Sequence, residues 1–175
     1  MLQRIQTLYI AIAFALTLLL LYVPMADFTI PALPSPEGEI PAKEYSYTAV
    51  GMKQFTLNAD FEATANGYSA YSVALLILVV LVLLVNVGIV LLYKKRILQM
   101  RVCVADIVMN LGVYALFFLF VLKTSGEMSS ALNVPVSLNY HFPLVFPVVN
   151  SIFILLAIRA IGKDEALVRS LDRIR

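Results

Sequence analysis

Residues 71–93 read YSVALLILVVLVLLVNVGIVLLY and are followed at once by Lys94, Lys95 and Arg96. An uncharged apolar run longer than about 18 residues identifies a membrane-spanning helix. At about 1.5 Å per residue this run covers roughly 34 Å, enough for a hydrocarbon layer of about 30 Å. The cations at its end mark a side, because Lys and Arg gather in short cytoplasmic flanks.

The rest of the chain repeats that pattern. Three further apolar runs, 5–23, 102–122 and 142–161, make four spans in all. The third is interrupted by Asp106, one turn inside its start. The first is too long for the core of a cleaved signal peptide and no small-x-small site follows it, so it reads as a retained helix. Composition agrees: 61% of the 175 residues are hydrophobic and 14% charged, against about 45–50% and about 25% in soluble domains. The expected class is an all-α membrane protein, a single domain of four transmembrane helices with a small β-rich first periplasmic loop.

Charge placement orients the four spans. Arg4, Lys94, Lys95, Arg96, Arg101, Arg159, Lys163, Arg169, Arg173 and Arg175 fall on one side, and only Lys43, Lys53 and Lys123 on the other. Asp27, Glu37, Glu39, Glu44, Asp60, Glu62 and Glu127 also lie on the Lys-poor side. Both termini and the turn 94–101 are therefore expected in the cytoplasm. The net charge of +2 suggests no nucleic-acid partner.

The outer loops are 24–70 and 123–141. The first opens with Pro31, Pro34, Pro36 and Pro41, then alternates aromatic and small polar residues over 44–50 and again over 55–61 around 51–54. That pattern predicts a β-hairpin, with a third strand near 28–30 and an extended segment from 134–138 joining the same sheet. The tail, 162–175, spaces Ala166, Leu167, Leu171 and Ile174 among charges and reads as a short amphipathic helix on the inner leaflet. Tyr22, Tyr68, Tyr71, Tyr93 and Tyr140 form an aromatic belt at the interfaces.

An ionisable residue inside a span is a functional candidate by default, which singles out Asp106. Its structural explanation is an ion pair with Arg101 or the Lys94–Arg96 cluster. Asn110 shares its helix face four residues on. Asn86 lies at matching depth in the second span, and Asn150 sits mid-span in the fourth. This polar cluster has two readings, hydrogen bonds that hold the bundle or a path for a proton or substrate. Gly88 and Gly112 suit close helix packing, Pro147 a bend, and His141 an interfacial anchor. The basic set Lys94, Lys95, Arg96, Arg101, Arg159, Lys163, Arg169 and Arg173 sets topology, and it is also the candidate surface for a partner or anionic lipid.

Lone Cys103 allows no intrachain disulfide, and lone His141 rules out haem held by two histidines. No Ser-His-Asp set, phosphate loop, metal-ligand spacing or carboxylate pair occurs, so no enzyme and no cofactor is expected.

The start MLQRIQTLY (1–9), the inner turn YKKRILQMR (93–101) and the end RAIGKDEALVRSLDRIR (159–175) are the most distinctive segments. With them the chain resembles the uncharacterised four-span inner-membrane family of Bacteroidota catalogued as a domain of unknown function, DUF4293. The resemblance covers essentially the whole chain and implies an inner-membrane location in a Gram-negative bacterium, but no activity. In architecture alone the layout is similar to the claudin-like arrangement, without the paired loop cysteines of claudins.

Three function classes remain. The leading expectation is a non-catalytic accessory subunit or assembly factor that binds a membrane-protein partner or itself. A small transporter or channel using Asp106, Asn110 and Asn86 is the alternative, and an envelope or lipid-binding protein acting through its outer hairpin is the third.

Overall fold

The computed structural model describes residues 3–35, 38–40, 42–56 and 73–172. In chain order they form α1 (Gln3–Tyr22), β1 (Ala26–Ile30), β2 (Leu33–Ser35), β3 (Gly38–Ile40), β4 (Lys43–Tyr47), β5 (Met52–Thr56), α2 (Val73–Leu91), α3 (Arg96–Leu132), β6 (Ser137–Tyr140) and α4 (Phe146–Asp172). Short 3₁₀ turns, Leu92–Lys94 and Phe142–Val145, precede α3 and α4. All four α-helices are long and apolar enough to cross a membrane.

The chain divides into two compact units. The first takes residues 1–19, 78–114 and 145–175. Its four helix segments bury one side each at intervals of three or four residues: Gln6, Ile10, Ala13 and Thr17 on α1, and Val79, Val82, Asn86 and Ile89 on α2. On α3 the sequence is Gln99, Cys103, Asp106, Asn110 and Val113, and on α4 it is Asn150, Ile154, Ala157, Ile161 and Asp164. Ile10, Ala13, Ile89, Cys103, Ile154, Ala157 and Ile161 make one apolar core from all four helices. Polar side chains occupy this buried stripe while Leu84, Val108 and Leu111 point outward. That inverts the pattern of a soluble bundle, because lipid rather than water receives the outer face.

The second unit takes residues 20–77 and 115–144. Its four-stranded antiparallel sheet has the order β5-β4-β1-β6, with Phe28 opposite Tyr45 on one side and Leu138 on the other. β2 and β3 form a separate two-stranded ribbon. α3 supplies Phe117 and Val121 from beyond its midpoint, and they are buried, as are Met25, Ala26, Phe28, Tyr47 and Ala49. The Tyr47 and Phe117 rings lie 5.8 Å apart, and Phe117 meets Phe118 edge-on at 5.3 Å, a geometry that aromatic quadrupoles favour. The strands near 28–30 and after Pro135 thus join the sheet, as the period-two pattern requires.

Several expected boundaries change. The hairpin turn is 48–51 rather than 51–54. Thr48 and Gly51 exchange backbone N–H···O bonds of 2.9 and 3.2 Å, and the Thr48 hydroxyl donates to the Gly51 carbonyl at 2.8 Å. The chain therefore reverses three residues early and pairs Tyr47 with Met52. The remainder of the expected second strand, 57–61, lies outside the described residues, as do Tyr68 and Tyr71.

α3 starts at Arg96, not near 102, and continues to Leu132 through what reads as the start of a polar loop. The tail is not a separate surface helix either. α4 passes through Gly162 to Asp172 because Ile161 and Asp164 continue its buried stripe. Pro147 falls in the first turn of α4, where its missing N–H has no helical partner to lose, so it causes no mid-helix bend. A Cβ on Gly112 would lie 3.4 Å from Leu78 Cδ2, the close packing expected there, whereas one on Gly88 would meet nothing within 4 Å.

Tyr47 carries a buried hydroxyl with no hydrogen-bond partner among the described residues, and burial pushes its pKa up to about 12. The folded state then favours the neutral phenol, so stability from this group is complete below about pH 10 and lost as pH rises towards 12. Tyr47→Phe removes an unsatisfied polar atom. We expect equal or greater stability at pH 8, up to about 1 kcal/mol, and a smaller loss between pH 10 and 12, both read from thermal melts in mild detergent.

Candidate functional site

Within the first unit, five polar side chains on four helices join in one hydrogen-bonded chain. The Asn86 amide on α2 donates to Asp106 Oδ1 at 3.3 Å and to the Val82 carbonyl at 3.0 Å. On α3 the Asn110 amide donates to Asp106 Oδ2 at 3.2 Å and to the Asp106 carbonyl at 2.9 Å. From α4 the Asn150 amide donates to Asn110 Oδ1 at 3.0 Å and to Thr17 Oγ1 on α1 at 2.9 Å. Thr17 in turn donates to the Ala13 carbonyl, one turn back.

Asp106 is 0% exposed and Asn86 and Asn150 are 1% exposed. Both Asp106 carboxylate oxygens accept an amide, and each helix contributes at least one member. The four residues picked from the sequence therefore come together, and Thr17 completes the set. Thr17 escapes a sequence reading because a Thr in a span bonds its own i−4 carbonyl as a matter of course. The ion pair expected for Asp106 is replaced by these amides. Arg101 is exposed and lines a different feature.

Two more buried bonds stitch the same unit. Gln6 Nε2 on α1 donates to Asp164 Oδ2 on α4, and Gln99 Nε2 on α3 donates to the Ile89 carbonyl near the end of α2 at 3.0 Å. In the sheet unit, His141 Nε2 bonds Asp27 Oδ2, and Ser46 donates to Asp27 Oδ1 at 2.6 Å. His141 is thus tied to β1 through Asp27, a partner 114 positions away in sequence, which makes it more than an interfacial anchor.

The basic set separates. Lys94, Lys95, Arg96 and Arg101 surround one cavity of about 520 Å³, with Glu165 on its wall. Arg159 and Lys163 are exposed on α4 and are not among its lining residues. The side chains of Arg169 and Arg173 lie outside the described ones. Arg96 is half-buried, 3.9 Å from Glu165. Among the described residues no group of three His, Cys, Asp or Glu side chains is placed to hold a metal ion.

The family described as Domain of unknown function (DUF4293) matches over residues 2–174. The chain belongs to that family. The match takes in every span and both distinctive ends, so the resemblance read from residues 1–9, 93–101 and 159–175 holds for the whole DUF4293 domain. No curated protein matches the chain.

Proposed function

We propose that this DUF4293 protein is a non-catalytic accessory subunit or assembly factor of a larger bacterial inner-membrane complex, with both termini in the cytoplasm. The observation that carries the reading is that both carboxylate oxygens of Asp106 accept an amide, one from Asn86 and one from Asn110. A polar chain whose members bond one another across four helices serves to lock helix positions. It spends its donors inside the bundle rather than on a passing solute. The orientation rests on the ten-to-three division of Lys and Arg, and the inner-membrane location on that division together with the family resemblance. The cytoplasmic tail, with Arg169 and Arg173, is assigned to the partner.

Purification of the tagged protein in mild detergent, followed by mass spectrometry, tests this reading. The expected result is a partner in near-stoichiometric amount, reduced several-fold by the Arg169→Ala, Arg173→Ala double variant. Recovery of the protein alone, or an association indifferent to the double variant, would remove the tail's role.

The buried carboxyl group of Asp106 also motivates the transporter reading, and one substitution separates the two. Asp106→Asn keeps the shape and an acceptor oxygen. The subunit reading expects unchanged partner recovery and growth. Loss of function with normal amounts of folded protein would favour transport.

A further inference from the structure

The basic cavity is unlike the rest of the molecule's charged surface. Four cations, Lys94, Lys95, Arg96 and Arg101, face one carboxylate, Glu165, around about 520 Å³. Their placement follows from local structure. The 3₁₀ turn 92–94 ends with the Lys95 N–H donating to the Leu92 carbonyl, and the Lys95 carbonyl then accepts from Gln99 N as α3 begins. Arg96, Ile97 and Leu98 are therefore the first turn of a 37-residue helix. The N–H groups of a first turn have no intrahelical partner, and the helix dipole adds positive potential there. All three of these residues line the cavity.

Glu165 offsets only part of that charge, one carboxylate against four cations. Its carboxylate stands 3.9 Å from Arg96 Nη1, and Arg96 Nη1 is a buried nitrogen with no hydrogen-bond partner among the described residues. Lys94, Lys95 and Arg101 are exposed. A guanidinium, a second Arg and two ammonium groups beside unpaired amides suit a tetrahedral oxyanion better than a planar peptide carboxylate, since phosphate offers more acceptor oxygens.

The apolar rim narrows the source. Ile97 is 50% and Leu98 42% exposed, and Val168 also lines the cavity. All this lies where the most apolar span ends. A free phosphate has no use for exposed Ile and Leu beside its site, whereas acyl chains do. We propose that this cavity is a binding site for a phosphate group, occupied by the headgroup of an anionic glycerophospholipid of the leaflet that meets the Lys94–Arg101 turn. The site is independent of the subunit reading, which assigns partner contact to the tail.

The test uses the full-length protein in mild detergent, titrated with dihexanoyl phosphatidylglycerol, dihexanoyl phosphatidylcholine or inorganic phosphate and followed by native mass spectrometry. Phosphatidylglycerol is expected to bind with the highest affinity. Each cation contributes about fivefold, so Lys95→Gln with Arg101→Gln weakens binding about 25-fold. Both residues are exposed, and an unchanged melting temperature will show that the variant folds. Arg159→Gln with Lys163→Gln, equal in charge but outside the cavity, leaves binding unchanged.

Glu165→Gln removes the counter-charge and raises affinity several-fold, a gain that misfolding does not produce. Inorganic phosphate binding as tightly as phosphatidylglycerol would assign the site to a free phosphate and overturn the lipid source. Equal losses from both double variants would overturn the site itself.

Discussion

Phe117→Ala lowers the unfolding free energy by about 3–5 kcal/mol, the cost of deleting a fully buried ring and leaving its cavity. Phe117 is 0% exposed and meets Tyr47 at 5.8 Å and Phe118 at 5.3 Å, so truncation removes one aromatic contact from each of those rings. The sheet has little to compensate. Small antiparallel sheets are marginal without an apolar element packed on one face, and here the α3 turns that carry Phe117 and Val121 are that element. The loss is read from thermal melts of the purified protein in mild detergent. Cys103 reports separately on the helix unit, because it is buried in that unit's core and is the chain's sole thiol. Its maleimide labelling rate in Phe117→Ala is expected to stay near wild type under native conditions. A change below about 1 kcal/mol would mean that the sheet does not depend on this ring.

Asn110→Leu is expected to cost about 2–4 kcal/mol, with the opposite signature at Cys103. Asn110 donates to Asp106 Oδ2 and accepts from Asn150, so one substitution breaks the chain on both sides. Interhelical hydrogen bonds in membranes average about 0.6 kcal/mol, with values up to about 1.7. The larger part of the effect comes from the partners left behind, since an unsatisfied buried polar group costs about 1–3 kcal/mol. Cys103 sits one turn before Asp106 on the same buried stripe and should label several-fold faster. Asp106→Asn, which keeps an acceptor for Asn86, should lose much less. If Asn110→Leu and Asp106→Asn were equally mild, the polar chain would not be what holds the four helices together.

These two substitutions also mark where sequence reading succeeds and where it stops. Asp106, Asn110, Asn86 and Asn150 were legible as a cluster because polar side chains in hydrocarbon need one another. Their depths could be counted from the Lys- and Arg-rich span ends. Arg101 was the wrong partner for Asp106. Nearness along the chain favours it, but a helix places residue 101 on a different face from residue 106, and Arg101 is exposed. Gln6 with Asp164 and His141 with Asp27 were not legible, since each pairs residues more than 100 positions apart and no spacing rule reaches that far.

The boundaries failed for a related reason. Hydropathy began the third span at 102 because Gln99 and Arg101 are polar, yet Gln99 is buried and belongs to the same stripe as Cys103 and Asp106. It ended the fourth span at 161, although Asp164 continues the core-facing side. In each case a polar residue that a hydropathy window counts against a span is satisfied inside the protein by a partner on another helix.

By itself the sequence determined four apolar helices, the division of charge between their ends, and strands between the first and second helices, because these depend only on the cost of transferring each segment and on local periodicity. The tertiary structure alone decided which polar groups meet, where α3 and α4 begin and end, and that four of the six candidate cations with described side chains share one cavity. Those outcomes depend on which helix faces which, and buried polar groups settle that question by the partners they find.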